Sequence, residues 1–200
     1  MRVKSEERRQ AILDIAKKSF LEQGFEKTSM SFISKELGGS KATLYNYFDS
    51  KEEIFEAVMH QGMAEQILKA FLMLKEKSDL ESDLKIFGFK YLRSLLSPEP
   101  IAIYRMAVSE SERSNLGRQF YANGPEKGIH SISNYLQNQV EGGALVECDT
   151  TLAAFQLQAL LNASFIERYA LGAIEAPSDA QIKQHVEFAI DCFLKLYRKA

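Results

Sequence analysis

Residues 28–53 read TSMSFISKELGGSKATLYNYFDSKEE, two short segments of helical period on either side of the Gly38-Gly39 pair. Thr28 or Ser29 is placed to cap the first segment, whose inward residues are Ile33 and Leu37. Ser40 is placed to cap the second, with Leu44 and Phe48 on its buried side. At least one glycine of the turn is expected at positive φ. The pattern is a helix-turn-helix, and it implies contact with duplex DNA. In that arrangement the second helix enters the major groove while flanking groups grip phosphates and set the register.

The start of that second helix carries side chains suited to the task. The Ser40 hydroxyl can cap while neighbouring amides face a phosphate. Lys41 and Lys51 suit phosphate or guanine, Ala42 lets the backbone approach the bases, and Thr43 offers a methyl and a hydroxyl to a base edge. Tyr45 and Tyr47 flank Asn46 and lie about 200° apart on a helix of about 100° per residue. At least one of the two rings must therefore face DNA or solvent.

Upstream, residues 6–23 place Ile12, Ile15, Ala16 and Phe20 on one helix face, and Gly24 stands at the C-terminal cap with Phe25 folding back onto it. Downstream, Ser50 and Glu53 form a capping box for a fourth helix running from Lys51 to about Leu74. A polar turn from Lys75 to Ser82 precedes a fifth helix at Leu84–Leu96, stopped by Ser97-Pro98-Glu99-Pro100, and a sixth lies at Ile101–Ser109. Ser111–Gln139 reads as helical but kinked or split at Gly124-Pro125, and Gly142-Gly143 ends it. Thr151–Leu171 reads as one long apolar helix, and Ser178–Lys199 opens on a capping box of Ser178 and Gln181. The fold class is all-α: a three-helix head over residues 1–50 and a helical bundle over residues 51–200, about nine to ten helices in total.

The chain has 200 residues, 46% hydrophobic, enough for a substantial core. Its formal charge of −2 hides an asymmetry, since residues 1–51 carry about +3 and the remainder about −5. A basic head on an acidic body directs DNA to the head. Cys148 and Cys192 lack the spacing of a disulfide framework, and His60, His130 and His185 offer no i, i+4 pair, so neither metal nor cofactor is expected. No apolar run approaches the roughly 20 residues of a membrane span, and a cytoplasmic setting is expected. No Ser-His-Asp order, carboxylate pair or phosphate loop marks an enzyme.

Thr28–Glu53 resembles the DNA-binding signature of the TetR family of bacterial transcription regulators, T-x-x-x-I-A-x-x-x-G-V-S-x-G-T-L-Y-x-Y-F-x-S-K-E-E-L. The resemblance implies DNA contact by Thr28, Ser40, Lys41, Ala42, Thr43, Tyr45, Asn46, Tyr47 and Lys51. Three positions depart from it: Ser34 for alanine, Gly39 for a small branched apolar residue, and Ile54 for leucine. Gly39 is expected to loosen the recognition helix by removing an apolar plug and adding backbone freedom. Residues 110–142, with their RQFYANGPEKGI run, are similar to the AefR-like subgroup of C-terminal domains.

Family members generally dimerise through their last two long helices and enclose a small-molecule pocket. Here the resemblance implies a homodimer seam including Phe155, Ala159, Ile182, Val186, Ala189, Ile190, Phe193 and Tyr197. It implies a pocket for a small-molecule inducer drawn from Met63, Ile67, Phe87, Tyr91, Tyr104, Arg105, Phe120, Tyr121, Gln158, Asn162 and Phe165, aromatic walls with a few polar groups. Arg105 suits either an anionic ligand or an intramolecular partner such as Glu110. The function so implied is a repressor released from a palindromic operator by an inducer. The alternative is a helix-turn-helix protein controlled by a protein partner or acting without ligand.

Overall fold

A computed structural model describes residues 5–59, 70–71, 74 and 79–199. The helices are α1 (Glu6–Gln23), α2 (Met30–Glu36), α3 (Lys41–Tyr45), α4 (51–59), α5 (Leu80–Leu95), α6 (Pro98–Glu110), α7 (Leu116–Asn123), α8 (Pro125–Glu141), α9 (Thr150–Asn162), α10 (Ile166–Ala170) and α11 (Asp179–Tyr197). Among the described residues there is no strand, only an isolated bridge between Leu145 and Arg198. None of the described helices is long and apolar enough to cross a membrane. The fold is all-α, a helix-turn-helix head followed by a helical domain.

The chain divides into two compact units: Met1–Gly62 with Ala102–Phe120, and Met63–Ile101 with Tyr121–Ala200. The unit holding the helix-turn-helix thus extends past residue 50 and takes in a second stretch of chain. Its core joins Ile12, Leu13, Ala16 and Phe20 of α1 to Ile33, Leu44, Ile54 and Phe55, all at most 2% exposed. Phe25, just past the Gly24 cap, closes the cluster: its ring centroid lies 5.4 Å from that of Phe20 and 5.5 Å from that of Phe55. Gly24 is needed there because its φ is +88°, in the region side chains disfavour.

The second unit is built on α5, α8, α9 and α11, around Leu84, Phe87, Leu92, Leu136, Leu157, Leu161, Ile190 and Phe193. The Ser178–Gln181 capping box forms in both directions at the start of α11. At its other end the chain is pinned: the Val146 amide donates to the Tyr197 carbonyl at 2.8 Å and the Lys199 amide to the Ala144 carbonyl at 3.1 Å.

Several expected boundaries move. α5 begins four residues earlier than Leu84, because Asp79 caps it by accepting from the Ser82 amide at 3.0 Å. That bond, above all, holds the Asp79 carboxyl below its usual range. Pro98 and Pro100 open α6 instead of only ending α5, since the amides they lack would be unpaired in a first turn anyway. Residues 111–115 are turns and bends, so α7 starts at Leu116, and Pro125 opens α8 as the expected split. The expected single helix Thr151–Leu171 is broken at 163–165 into α9 and α10. Of the expected fourth helix, 51–59 and 70–71 are helical and Leu74 is in a turn, while 60–69, with Met63 and Ile67, and 72–73 lie outside the described residues.

Gly88, in the middle of α5, marks a close helix approach. A methyl group built there would lie 2.9 Å from both Leu161 Cδ2 and Val186 Cγ1, and both residues are at most 2% exposed. Gly88→Ala gains about 1 kcal/mol in helix propensity but incurs about 1–3 kcal/mol of overpacking. The expected net is a loss of about 1 kcal/mol, read as a lower denaturant midpoint with an unchanged slope; a higher midpoint would mean that α9 and α11 yield freely.

Candidate nucleic-acid interface

The turn between α2 and α3 is fixed by backbone bonds. The amides of Leu37, Gly38 and Gly39 donate to the carbonyls of Ile33, Lys35 and Ser34 at 2.9, 3.1 and 3.2 Å. Gly38 takes φ +69°, as the turn requires, while Gly39 does not have positive φ. Ser29, not Thr28, caps α2, accepting from the Phe32 amide at 3.1 Å. Ser40 caps α3, accepting from the Thr43 amide at 3.2 Å, and its hydroxyl shares a 3.0 Å hydrogen bond with that of Thr43.

With Leu44 and Phe48 turned into the core, Ser40, Lys41, Ala42, Tyr45 and Asn46 are exposed and Thr43 is half-buried. One short stretch thus presents a cation, a methyl, two hydroxyls, a phenol and a carboxamide to solvent. Phe32 and Lys35 of α2 are exposed as well. No residue pattern sets them apart, because an exposed position on so short a helix looks like any solvated face.

Three of the expected contact residues have structural work. Thr28 is 1% exposed and its hydroxyl donates to the Gly24 carbonyl at 2.9 Å, so its side chain holds the bend before α2 and is not presented to a ligand. The Tyr47 hydroxyl accepts from the amide of Ser5, the cap of α1, at 3.1 Å, tying the end of the motif to the start of the chain's first helix. The Lys51 ammonium donates to the Phe25 carbonyl at 2.7 Å and lies 3.9 Å from the centre of the Phe25 ring. The partners of Tyr47 and Lys51 lie 42 and 26 residues away, which is why spacing alone did not reveal them. At the start of α4, Ser50 accepts from the Glu53 amide, while the Glu53 carboxylate takes the amide of Asp49 at 2.6 Å.

In the second unit, Phe87, Tyr91 and Gln158 do come together. The Phe87 and Tyr91 rings are stacked with centroids 5.6 Å apart, Phe71 packs on both, and Gln158 Nε2 donates to the Tyr91 hydroxyl at 3.3 Å. Burial pushes the Tyr91 phenol up, opposed by hydrogen bonding from Asn162 and Gln158. Asn162 Oδ1 is buried with no partner among the described residues. Phe165 packs edge-on against His185 with centroids 5.0 Å apart. Tyr104 and Phe120 belong to the first unit, their ring centroids 6.1 Å apart, and Arg105 and Tyr121 are exposed. Arg105 and Tyr121 therefore do not line an interior pocket: each falls on the outer face of its helix.

The expected dimer seam needs a larger correction. Ile182, Val186, Ala189, Ile190 and Phe193 are at most 2% exposed within the single chain, packed on α5 and α9, and the half-buried Tyr197 hydrogen-bonds Gln156. Phe155 and Ala159 are exposed as a seam requires. On α11 the large exposed apolar residues are Phe188 and Leu196, each 66% exposed. The helix is apolar on two faces, and the stripe chosen from sequence is the one its own chain covers.

Residues 82–199 match the AefR-like transcriptional repressor C-terminal domain, and residues 12–58 match the bacterial regulatory proteins of the tetR family. The chain belongs to the TetR family. It is a transcriptional regulator with a helix-turn-helix for binding DNA. The flavonoid-responsive regulator FrrA shares 30% identity with it, with a TM-score of 0.77 over 97% of this chain and 98% of FrrA. A TetR-family regulator from Mesorhizobium loti shares the fold at 24% identity and a TM-score of 0.86, over 98% of this chain and all of that one. The fatty acid metabolism regulator protein of Bacillus subtilis is 26% identical over 137 residues, 68% of this chain and 70% of that protein.

Because the Phe25 carbonyl also accepts from the Thr28 amide at 3.2 Å, removing the Lys51 ammonium does not orphan it. Lys51→Ala is expected to lower stability by about 1.5 kcal/mol, the low end for a charged hydrogen bond, as a reduced denaturant midpoint. An unchanged midpoint would leave DNA as the only role for this ammonium.

Proposed function

We propose that this TetR-family protein is a ligand-responsive repressor that binds a palindromic operator as a homodimer and is released by a small-molecule inducer. The observation that carries the DNA reading is the exposed set Ser40, Lys41, Ala42, Tyr45 and Asn46, with Thr43, on a helix whose entrance is fixed by the Gly38 turn and the Ser40 cap. Lys41 grips phosphate, and Thr43, Tyr45 and Asn46 read base edges. In a dimer the two recognition helices would meet successive major grooves about 34–36 Å apart.

Support for the dimer is the row of exposed apolar side chains on neighbouring helices: Leu152, Phe155 and Ala159 on α9, Phe188 and Leu196 on α11. A second copy of the chain presents the same row, so a two-fold axis would pack it against itself. Support for the ligand is the aromatic cluster of Phe71, Phe87 and Tyr91 with the Gln158 and Asn162 amides, a carboxamide oxygen of which is buried without a partner among the described residues. Regulators similar to this chain carry names that refer to flavonoids and to fatty acid metabolism, and these two classes are the first inducers to try. Release requires the inducer to favour the state that does not fit the operator, because equal affinity for both states shifts nothing.

The test is to select bound fragments from genomic DNA, then measure release of the recovered duplex by flavonoids and by long-chain fatty acids or their thioesters. Recovery of a palindrome that neither class releases would favour control by a protein partner or by no ligand at all. For the seam, Phe188→Glu is expected to give a folded monomer by light scattering and a loss of operator affinity of 10-fold or more, on the order of 1.4 kcal/mol per decade. Ile190→Glu instead should unfold the chain by burying a charge. A dimeric Phe188→Glu protein would place the seam elsewhere.

A further inference from the structure

Two departures from the family's usual residues, Ser34 and Gly39, touch each other. Ser34 is 3% exposed and its hydroxyl donates to the Gly39 carbonyl at 2.9 Å, while the Gly39 amide donates to the Ser34 carbonyl at 3.2 Å. The turn is closed in both directions, so the loosening expected from a glycine is opposed by a hydrogen bond that alanine at 34 could not make. Gly39 is not at positive φ, and the backbone there does not require glycine.

What the glycine leaves is space, and Arg8 of α1 fills it. A Cβ built at Gly39 would lie 3.2 Å from Arg8 Nη2, nearer than any other atom, with Thr43 Cβ next at 3.8 Å. The guanidinium lies over the turn where the family's apolar side chain would be. Among the described residues the buried Arg8 Nε has no partner and no carboxylate pairs with this side chain; Glu6 reaches the neighbouring Arg9 at 3.6 Å. Arg9 in turn lies over the Phe48 ring, 5.3 Å from its centre. A half-buried guanidinium beside the exposed residues of α3, its Nε unsatisfied among the described residues, is poised for an anion arriving from outside.

We propose that Arg8 is a DNA-phosphate contact of this protein, seated against the helix-turn-helix by the absence of a side chain at Gly39 and by the Ser34 to Gly39 hydrogen bond. The proposal rests on the helix-turn-helix binding duplex DNA. A planar fork of donors suits a phosphate oxygen pair, and such contacts fix the register of the motif without reading sequence. Arg8 should thus contribute to affinity for every duplex, through release of counterions.

The experiment measures binding of wild type and variants to a labelled operator fragment and to a scrambled duplex across a salt series, alongside thermal melting. Arg8→Met is expected to reduce the magnitude of the slope of log K against log salt by about 0.9 for each Arg8 removed, with equal losses on both duplexes. Arg8→Lys should retain the slope. Gly39→Val should lower it as Arg8→Met does, and should add nothing further in the Arg8→Met background. An unchanged slope in a cooperatively melting Arg8→Met protein would overturn the contact, and an unchanged slope in Gly39→Val would overturn the seating. If Arg8→Met does not melt cooperatively, Arg8→Lys and Gly39→Val decide by the same criteria. Failure of the wild type to bind any duplex would overturn the DNA reading itself, together with the proposal.

Discussion

The packing of Phe25 between Phe20 and Phe55 is the constraint on which the DNA-binding head depends. Phe20 lies on α1, Phe25 in the bend that follows, and Phe55 on α4, and each ring meets the others at 5.4–5.6 Å. Tilted and edge-on aromatic pairs contribute about 0.5–1.5 kcal/mol each beyond the area they bury. More than energy, the cluster supplies geometry: it sets where α2 and α3 begin relative to α1 and α4. Lys51 covers the outer face of Phe25 and holds its carbonyl, and Tyr47 reaches Ser5, so the groups flanking the motif also close its frame. Side chains that a signature suggests for DNA thereby serve the protein first.

In the helical domain the corresponding constraint is polar groups held inside an apolar packing. The Tyr135 hydroxyl donates to Asp83 Oδ2 at 3.3 Å, and burial, then the Asp83 charge, pushes that phenol up. Tyr91, raised mainly by burial, is met by two amides. Both phenols therefore stay protonated throughout the ordinary pH range, and each remains a neutral group able to donate. Such bonds are directional where hydrophobic packing is not, and they fix which turn of α5 faces which turn of α8 and α9.

Local signals were legible wherever one residue does one job. The caps at Ser40 and Ser178, a positive φ within the Gly38-Gly39 pair, the Gly24 stop and the interruption at Pro125 could be read because each depends on a few neighbours in the chain. The face of α11 that meets its own chain was not legible. Its residues Ile182, Val186, Ile190 and Phe193 form one apolar stripe and Phe188 and Leu196 another, and periodicity names stripes without naming their partners. The break at 163–165 was equally hidden, since Thr150–Ala170 holds neither proline nor glycine to announce it. Of the expected contact residues, Ser40, Lys41, Ala42, Tyr45 and Asn46 are exposed, whereas the Thr28 hydroxyl is turned inward onto the Gly24 carbonyl, four residues back, a local bond that residue type alone does not distinguish from a helix cap.

The contact between Ser34 and Gly39 also bears on how such a sequence can change over time. A valine at position 39 would meet Arg8, and an alanine at position 34 would forfeit the bond that holds a glycine turn closed. Each of these single changes is expected to disturb a contact of the turn in this background. Exchange of a single residue here is therefore expected to disturb the turn, and transfer of Arg8, Ser34 and Gly39 as a block is the unit that preserves it.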